Sequence, residues 1–307
     1  MDLSISPSTQ QYLLALQQTQ NQLQQAQAQL SSGYRLQQAS DDPAAISQIY
    51  ENKTQIAFNQ QTQSNLQTAG NELSSADSAL QSAVQAVQRA ISLAAQGSTT
   101  TSSATTRANL AIEVQGLQQT LVDISQTQVN GKYIFSGDQS SQPSYALDPT
   151  QPDGVQQLLT TTNTRVIQDI NGTPIATSRT ATQIFDAQDS SGNPVSGNVF
   201  AAINSLITSL QNNDQTGITT AASSLNAAST YLNGQVVFYG EAEDRVSAAT
   251  QLAQQYLTQQ QTALGQVQDA NVPTAALELT QAQTQQQAAL SVEAKIQQEP
   301  NLFSLLA

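Results

Sequence analysis

The chain has 307 residues, nine basic against 22 acidic, with only 10% charged and 5% aromatic side chains. Histidine, cysteine and tryptophan are absent, which excludes Cys/His zinc sites, thiol nucleophiles, Ser-His-Asp triads and His-ligated haem or iron. The formal charge is −13 and the cations are scattered from Arg35 to Lys295, so no concentrated positive field awaits a phosphate backbone and nucleic acid is not an expected partner. No apolar run reaches the ~18 residues of a membrane span. Met1 to Pro7 has neither the basic start nor the apolar stretch of a secretory signal, so the expectation is a cytoplasmic protein or one exported uncleaved. No enzyme, cofactor or metal is expected.

Residues 8 to 32 read as a helix. Tyr12, Leu16, Thr19, Leu23, Ala26 and Leu30 recur at alternating spacings of four and three, the rhythm of a coiled-coil seam. Three leucines, each worth roughly 1.5–3 kcal/mol when fully covered, do not hold such a helix alone. It needs a partner. Gly33 fits a helix C-cap, and Asp41-Asp42-Pro43 is a start signal with Asp42 as N-cap and Pro43 at the first helical position. Paired carboxylates also suit acid–base or metal chemistry, but with no histidine and no spaced acids the cap is the preferred reading.

A long helix then runs to about Gln96, with a seam of Leu66, Ala69, Leu73, Ala76, Leu80, Ala83, Val87, Ala90 and Ala94. The hydroxyl-rich run after Gly97 ends it. A third helix is predicted from Ala104 to Val129, with Leu110, Val114, Leu117, Leu121 and Ile124 on one face. Asn130-Gly131 stops it, and Lys132 to Gly137 reads as a short β-prone segment. From about 138 to 196 the pattern becomes prolines, turn pairs and short apolar pieces such as Thr164–Ile167 and Gln183–Phe185, which predicts a β-rich insert. Val199 to Leu210 returns to helical rhythm. A long helix follows from about Gly217 to Asp269, its seam drawn through Tyr239, Ala242, Val246, Ala249, Ala253, Tyr256, Ala263 and Val267. The last helix, about Pro273 to Gln298, uses Leu277, Leu279, Ala282, Ala289, Leu290 and Ile296, and Pro300 precedes the apolar tail Leu302, Phe303, Leu305 and Leu306.

The order helices, β-rich insert, helices predicts a mainly α fold. Its amino- and carboxy-terminal regions form a long antiparallel bundle or coiled coil, with a small β-rich domain inserted and protruding. Three parts are expected: terminal arms at 1–43 with 270–307, a helical bundle at 44–137 with 197–269, and the insert at 138–196. The expected assembly interface comprises Leu16, Leu23, Leu30, Leu279, Leu290, Leu302, Phe303, Leu305 and Leu306. Glu241, Glu243 and Asp244 read as a solvated helix face, and no Gly-x-Ser-x-Gly or phosphate-binding glycine loop occurs.

The segment Leu30-Ser31-Ser32-Gly33-Tyr34-Arg35-Leu36, followed by Ser40-Asp41-Asp42-Pro43-Ala44-Ala45, resembles the amino-terminal signature of the bacterial flagellin superfamily. Asp269-Ala270-Asn271-Val272, Leu279, Ala288-Ala289 and Pro300 to Leu306 are similar to its carboxy-terminal helix, with Asn271 where an Asp is common and Pro273 unusual. Within the superfamily, Thr127 to Gly137, with Asn130, Gly131, Tyr133, Phe135 and Gly137, resembles most the hook-associated proteins at the junction of hook and filament. The resemblance implies a secreted, extracellular component of the bacterial flagellum, exported through the flagellar type III apparatus. It implies terminal arms that are disordered in the monomer and helical on assembly. The implied partners are further copies of the chain, hook-associated protein 1, flagellin and an export chaperone. The alternatives are a filament subunit and a secreted protein that binds surfaces through the insert.

Overall fold

A computed structural model describes residues 7–36, 38, 41–189 and 193–298, except for the side chains of 7–9, 293 and 295–298. Seven helices are described: α1 (Pro7–Ser32), α2 (Pro43–Gly97), α3 (Ala104–Ser125), α4 (Ala181–Phe185), α5 (Val199–Gln211), α6 (Gln215–Gln268) and α7 (Val272–Gln298). Six short strands form three antiparallel hairpins: β1 (Gln128–Val129) with β2 (Lys132–Tyr133), β3 (Tyr145–Leu147) with β4 (Val155–Gln157), and β5 (Val166–Gln168) with β6 (Pro174–Ala176). The fold is mainly α with a small β region. The chain divides into two compact units, one of residues 1–58 with 256–307 and the other of residues 59–255.

The second unit is built on α2 against α6. Gln63 Nε2 donates to Gln254 Oε1 at 2.7 Å, Gly70 faces Val246 and Gly97 faces Ile218. Residue numbers rise on one helix as they fall on the other, so the pair is antiparallel. Every α2 seam residue predicted from Leu66 to Ala94 is buried, seven of the nine with no exposure at all. Alanine at alternate seam positions brings the helices close and leaves room for α3 and α5 on the same core. On α6 the buried stripe continues from Ala253 to Leu257 at 8% exposure, while Tyr256 is 39% exposed. The spacing of four after Ala253 keeps the stripe facing its partner, whereas a spacing of three turns Tyr256 outward.

Helix α3 stops at Ser125, four residues short of the sequence expectation. The turn Asn130-Gly131, with φ +52° and +74°, has the two left-handed residues of a type I′ hairpin and requires paired strands on either side. Gln128 accordingly pairs with Tyr133 and Val129 with Lys132. Gln183-Ile184-Phe185 lies in helix α4 rather than in extended chain, because Thr180 and Gln183 form a reciprocal capping box around its first turn.

The insert shares the core of the helices. Tyr145, Val155, Ile175, Ile184 and Phe185 are buried in the same cluster as Leu80, Val114, Phe200 and Tyr239. Aromatic rings tie these pieces together: Phe135 meets Phe185 at 6.0 Å and Tyr239 at 6.2 Å, both edge to face, and Tyr145 meets Phe200 at 5.1 Å. Among the described residues no helix is long and apolar enough to cross a membrane, and no cluster of three or more acidic, His or Cys residues could hold a metal ion.

Candidate assembly interface

In the first unit α1 packs on α7. Tyr12 Oη, near the start of α1, donates to the carbonyl of Ala289 near the end of α7 at 2.7 Å. The residues just after α1 meet those just before α7, so the two helices are antiparallel. Tyr12, Leu16, Thr19, Leu23 and Leu30 are each half-buried on this seam and Ala26 is buried. On α7 the corresponding stripe is Ala275, Leu279, Ala282, Gln286 and Ala289, of which Ala275 and Ala282 are buried. Leu290 and Leu277, by contrast, are 52% and 58% exposed. They stand one position after Ala289 and two before Leu279, which turns them away from α1. Leu13, Leu14 and Val292 are also exposed. Leu302, Phe303, Leu305 and Leu306 lie outside the described residues.

The base of the helix pair is a lattice of backbone bonds. Gly33, with φ +74°, closes α1 by donating to Gln29 O at 2.9 Å. Its own carbonyl accepts from Ala270 N at 2.9 Å, and Arg35 N donates to Gln268 O at 2.8 Å, so Tyr34 and Asp269 form an antiparallel bridge. The Arg35 guanidinium adds a bond to Val267 O at 3.1 Å. Asp41 Oδ2 accepts from Gln38 N at 2.9 Å. Asp42 Oδ1 accepts from Ala45 N at 3.1 Å, which caps α2 with Pro43 as its first residue. Asn271 caps α7 in the same way, accepting from Thr274 N at 3.2 Å. Pro273 then falls in the first helical turn, where no N–H is needed. Leu36, Ala45 and Ile49 pack with Leu264 and Val267 beneath these turns. The two signature segments are therefore one structural object, the α1–α2 turn laced to the α6–α7 turn.

The segment from Asn130 to Gly137 belongs to the second unit and has a local task there. Past the β1–β2 turn, Tyr133 N donates to Ser140 O at 2.8 Å. Phe135 is fully buried among aromatic rings, and its carbonyl accepts from Ala181 N at 2.7 Å. Tyr133 is half-buried and the Asn130-Gly131 turn is largely exposed. The segment thus anchors the insert to α4 and α6.

Two features carried no sequence signal. Arg107 is buried at 6% exposure and donates to Gly97 O at 2.7 Å, Thr99 O at 3.1 Å and Asn213 Oδ1 at 2.6 Å. Its charge faces the carbonyl end of α2, where the helix dipole favours a cation. Asp186, also buried, accepts from Tyr145 Oη at 2.9 Å, Asn198 Nδ2 at 2.6 Å and Gln188 Nε2 at 2.7 Å. Long-range polar pairs of this kind leave no periodicity to read.

Residues 5–140 match the family model described as the bacterial flagellin N-terminal helical region. No curated protein sequence matches the chain. Among solved structures, the fold is similar to one described as a flagellar hook-associated protein from Vibrio parahaemolyticus, at 17% identity and TM-score 0.65, covering 75% of this chain and 100% of that one. Flagellar hook-associated protein-3 from Legionella pneumophila follows at 16% identity and TM-score 0.60, with 71% and 98% covered. FlgL from Bacillus cereus has 16% identity and TM-score 0.55, with 71% and 99% covered. The chain is flagellin-like in its amino-terminal helical region. Its fold is that of the flagellar hook-associated proteins of the FlgL type.

Proposed function

We propose that this protein is a non-enzymatic structural subunit of the bacterial flagellum, placed at the junction of hook and filament and polymerising through α1 and α7. The supporting observation is a helix pair left half-finished. The leucines of α1 are only partly covered by α7, and Leu13, Leu14, Leu277 and Leu290 on the same two helices face outward. A partly covered leucine realises only part of its roughly 1.5–3 kcal/mol, and further copies would supply the remainder. The tail Leu302, Phe303, Leu305 and Leu306 belongs to the same interface in this reading. The likeness in fold to hook-associated proteins favours the junction over the filament, and a chain without His or Cys favours a structural role over catalysis.

The proposed surroundings are extracellular, with further copies of this chain, hook-associated protein 1 and flagellin as neighbours and a chaperone during export. A strain lacking the protein is expected to keep its hooks and to shed filament protein into the medium. Fluorescent labelling of living cells is expected to mark one spot per flagellum. Labelling along the whole filament would replace this reading with the second one, a filament subunit, to which the flagellin family match applies equally.

A further inference from the structure

We propose that a cleft between the insert and α6 is a binding site for a saccharide that carries a carboxylate, with Arg179 holding the carboxylate. None of its residues lies on α1 or α7, so the proposal stands apart from polymerisation through those helices. The cleft has a volume of about 550 Å³, within the range of roughly 300–1,000 Å³ usual for small-molecule sites. It lies between residues of the 164–195 segment and Tyr231 and Phe238 of α6, two aromatic residues two turns apart on one face of the helix. Tyr231 is fixed in place. Its hydroxyl donates to Gln183 O at 2.6 Å, and its ring lies so close to Gly197 that a Cβ there would meet it at 2.9 Å.

Arg179 is the cation of this lining. It is half-buried, lies 4.1 Å over the Phe238 ring and donates through Nη1 to Gln235 Oε1 at 2.6 Å. Both partners are neutral. Among the described residues Arg179 forms no ion pair, whereas Arg35, Arg89 and Arg165 each face a carboxylate. The bond through Nη1 leaves the Nε and Nη2 edge of the guanidinium, whose two parallel N–H groups match the two oxygens of a carboxylate. Arg89 uses that edge on Glu113. A cation partly withdrawn from water and faced by neutral groups gains strongly from an anion brought to it. Asp186, the carboxylate of the same lining, does not supply that anion, because it is buried with its oxygens taken by Tyr145, Asn198 and Gln188.

The rest of the lining suits a sugar ring. Gln183 and Gln188 are exposed, and each is held by one end of its amide: Gln183 Oε1 accepts from Thr180 N at 3.1 Å, and Gln188 Nε2 donates to Asp186 at 2.7 Å. An oriented NH2 group and an oriented carbonyl oxygen are thus presented to hydroxyls. Ala176, Ala187, Val195 and Tyr231 add apolar surface for the C–H groups between those hydroxyls. A small carboxylic acid would use Arg179 alone, while an acidic saccharide uses the whole lining.

The test is calorimetric titration of the full chain with 3′-sialyllactose and with a galacturonic acid trimer, against lactose, a neutral galactose trimer and acetate. At least one acidic saccharide is expected to bind with a Kd below about 1 mM, and the neutral sugars and acetate at least about tenfold more weakly. Raising NaCl to about 0.5 M is expected to weaken the acidic ligand as the charge pair is screened. Arg179→Gln is expected to lose at least about tenfold in affinity, as removal of a charged hydrogen-bonding partner does. Because Arg179 also braces Phe238, a second variant decides the matter where the first does not fold. Val195→Glu, at a lining position 40% exposed, sets a carboxylate against that of the ligand and is expected to weaken binding at least about fivefold with circular dichroism unchanged. Failure of both acidic saccharides to bind overturns the proposal, as does equal binding of the neutral sugars or of acetate. Full affinity in folded Arg179→Gln or in Val195→Glu overturns it as well.

Discussion

At Gly137 the backbone turns with φ +60°, and a Cβ there would collide with the carbonyl oxygen of Asn163 and press on Thr161 and Thr180 at 3.3 Å. Gly131 has a similar φ of +74°, but no atom lies within 4 Å of its missing Cβ. The two glycines of one short segment therefore answer to different demands. Gly131→Ala meets only the left-handed backbone penalty of about 1 kcal/mol, while Gly137→Ala adds a clash with main chain and is expected to cost at least about 2 kcal/mol. Urea unfolding of both variants checks the order; equal losses would mean that the neighbourhood of Gly137 gives way. Arg107 makes the complementary point for side chains. Its three bonds join the end of α2 to the turn at Asn213, itself at φ +55°. Lysine has a single ammonium and lacks the planar fork that makes those bonds.

Among elements, the insert is held to the helices chiefly by two tyrosines and two arginines. Tyr145 of β3 bonds Asp186 within the insert and sets its ring 5.1 Å from Phe200 of α5, and the Tyr239 hydroxyl of α6 accepts from Arg179 N at 3.0 Å. Arg165 pairs with Glu72 of α2 at 2.8 Å, and Arg179 bonds Gln235 at 2.6 Å while lying 4.1 Å over the Phe238 ring. Burial pushes both tyrosine hydroxyls above their ordinary value, Tyr239 to about 12, and the nearby Asp186 charge raises Tyr145 further. A folded-state pKa above the unfolded one of about 10 favours the folded form while the hydroxyls stay protonated. That stabilisation is complete below about pH 10 and is lost as pH rises through the folded values. The second unit is therefore expected to unfold in base, with tyrosinate absorbance and loss of helical circular dichroism rising together between about pH 10 and 12. Tyr145→Phe and Tyr239→Phe should make the loss shallower; an unchanged base transition in both variants would assign it to other groups. The helices behind this arrangement were legible in the sequence because heptads write burial directly, as from Leu66 to Ala94. The error at Tyr256 arose where the stripe steps by four and an aromatic stands beside the correct Leu257. The insert was legible only as turns and short apolar pieces, since its attachments join residues dozens of positions apart and leave no period. The lacing of Tyr34 to Asp269 was equally hidden, because it is made by backbone atoms common to every sequence.

For the whole molecule, the two units differ in how much they bury. The second holds a continuous core in which Leu66, Leu80, Val87, Phe200, Ile203 and Leu225 have no exposure. In the first, the fully covered apolar residues of α1 and α7 among the described residues are the alanines Ala26, Ala275 and Ala282, and an alanine contributes a single methyl. Local opening costs little where few apolar contacts must be broken and where the backbone bonds belong to exposed helices. Amide hydrogens of α1 and α7 in the isolated chain are thus expected to exchange with solvent well before those of α2 from 66 to 94 or of α5. In the assembled polymer the same arms gain the covering that one copy lacks, so their exchange should slow by at least about a hundredfold, the effect of roughly 3 kcal/mol of added burial. Core amides should change much less, because assembly adds nothing to surfaces already dry. Equal protection of arms and core in the isolated chain would show that α7 alone completes the seam of α1, and polymerisation would then have to be driven from another surface.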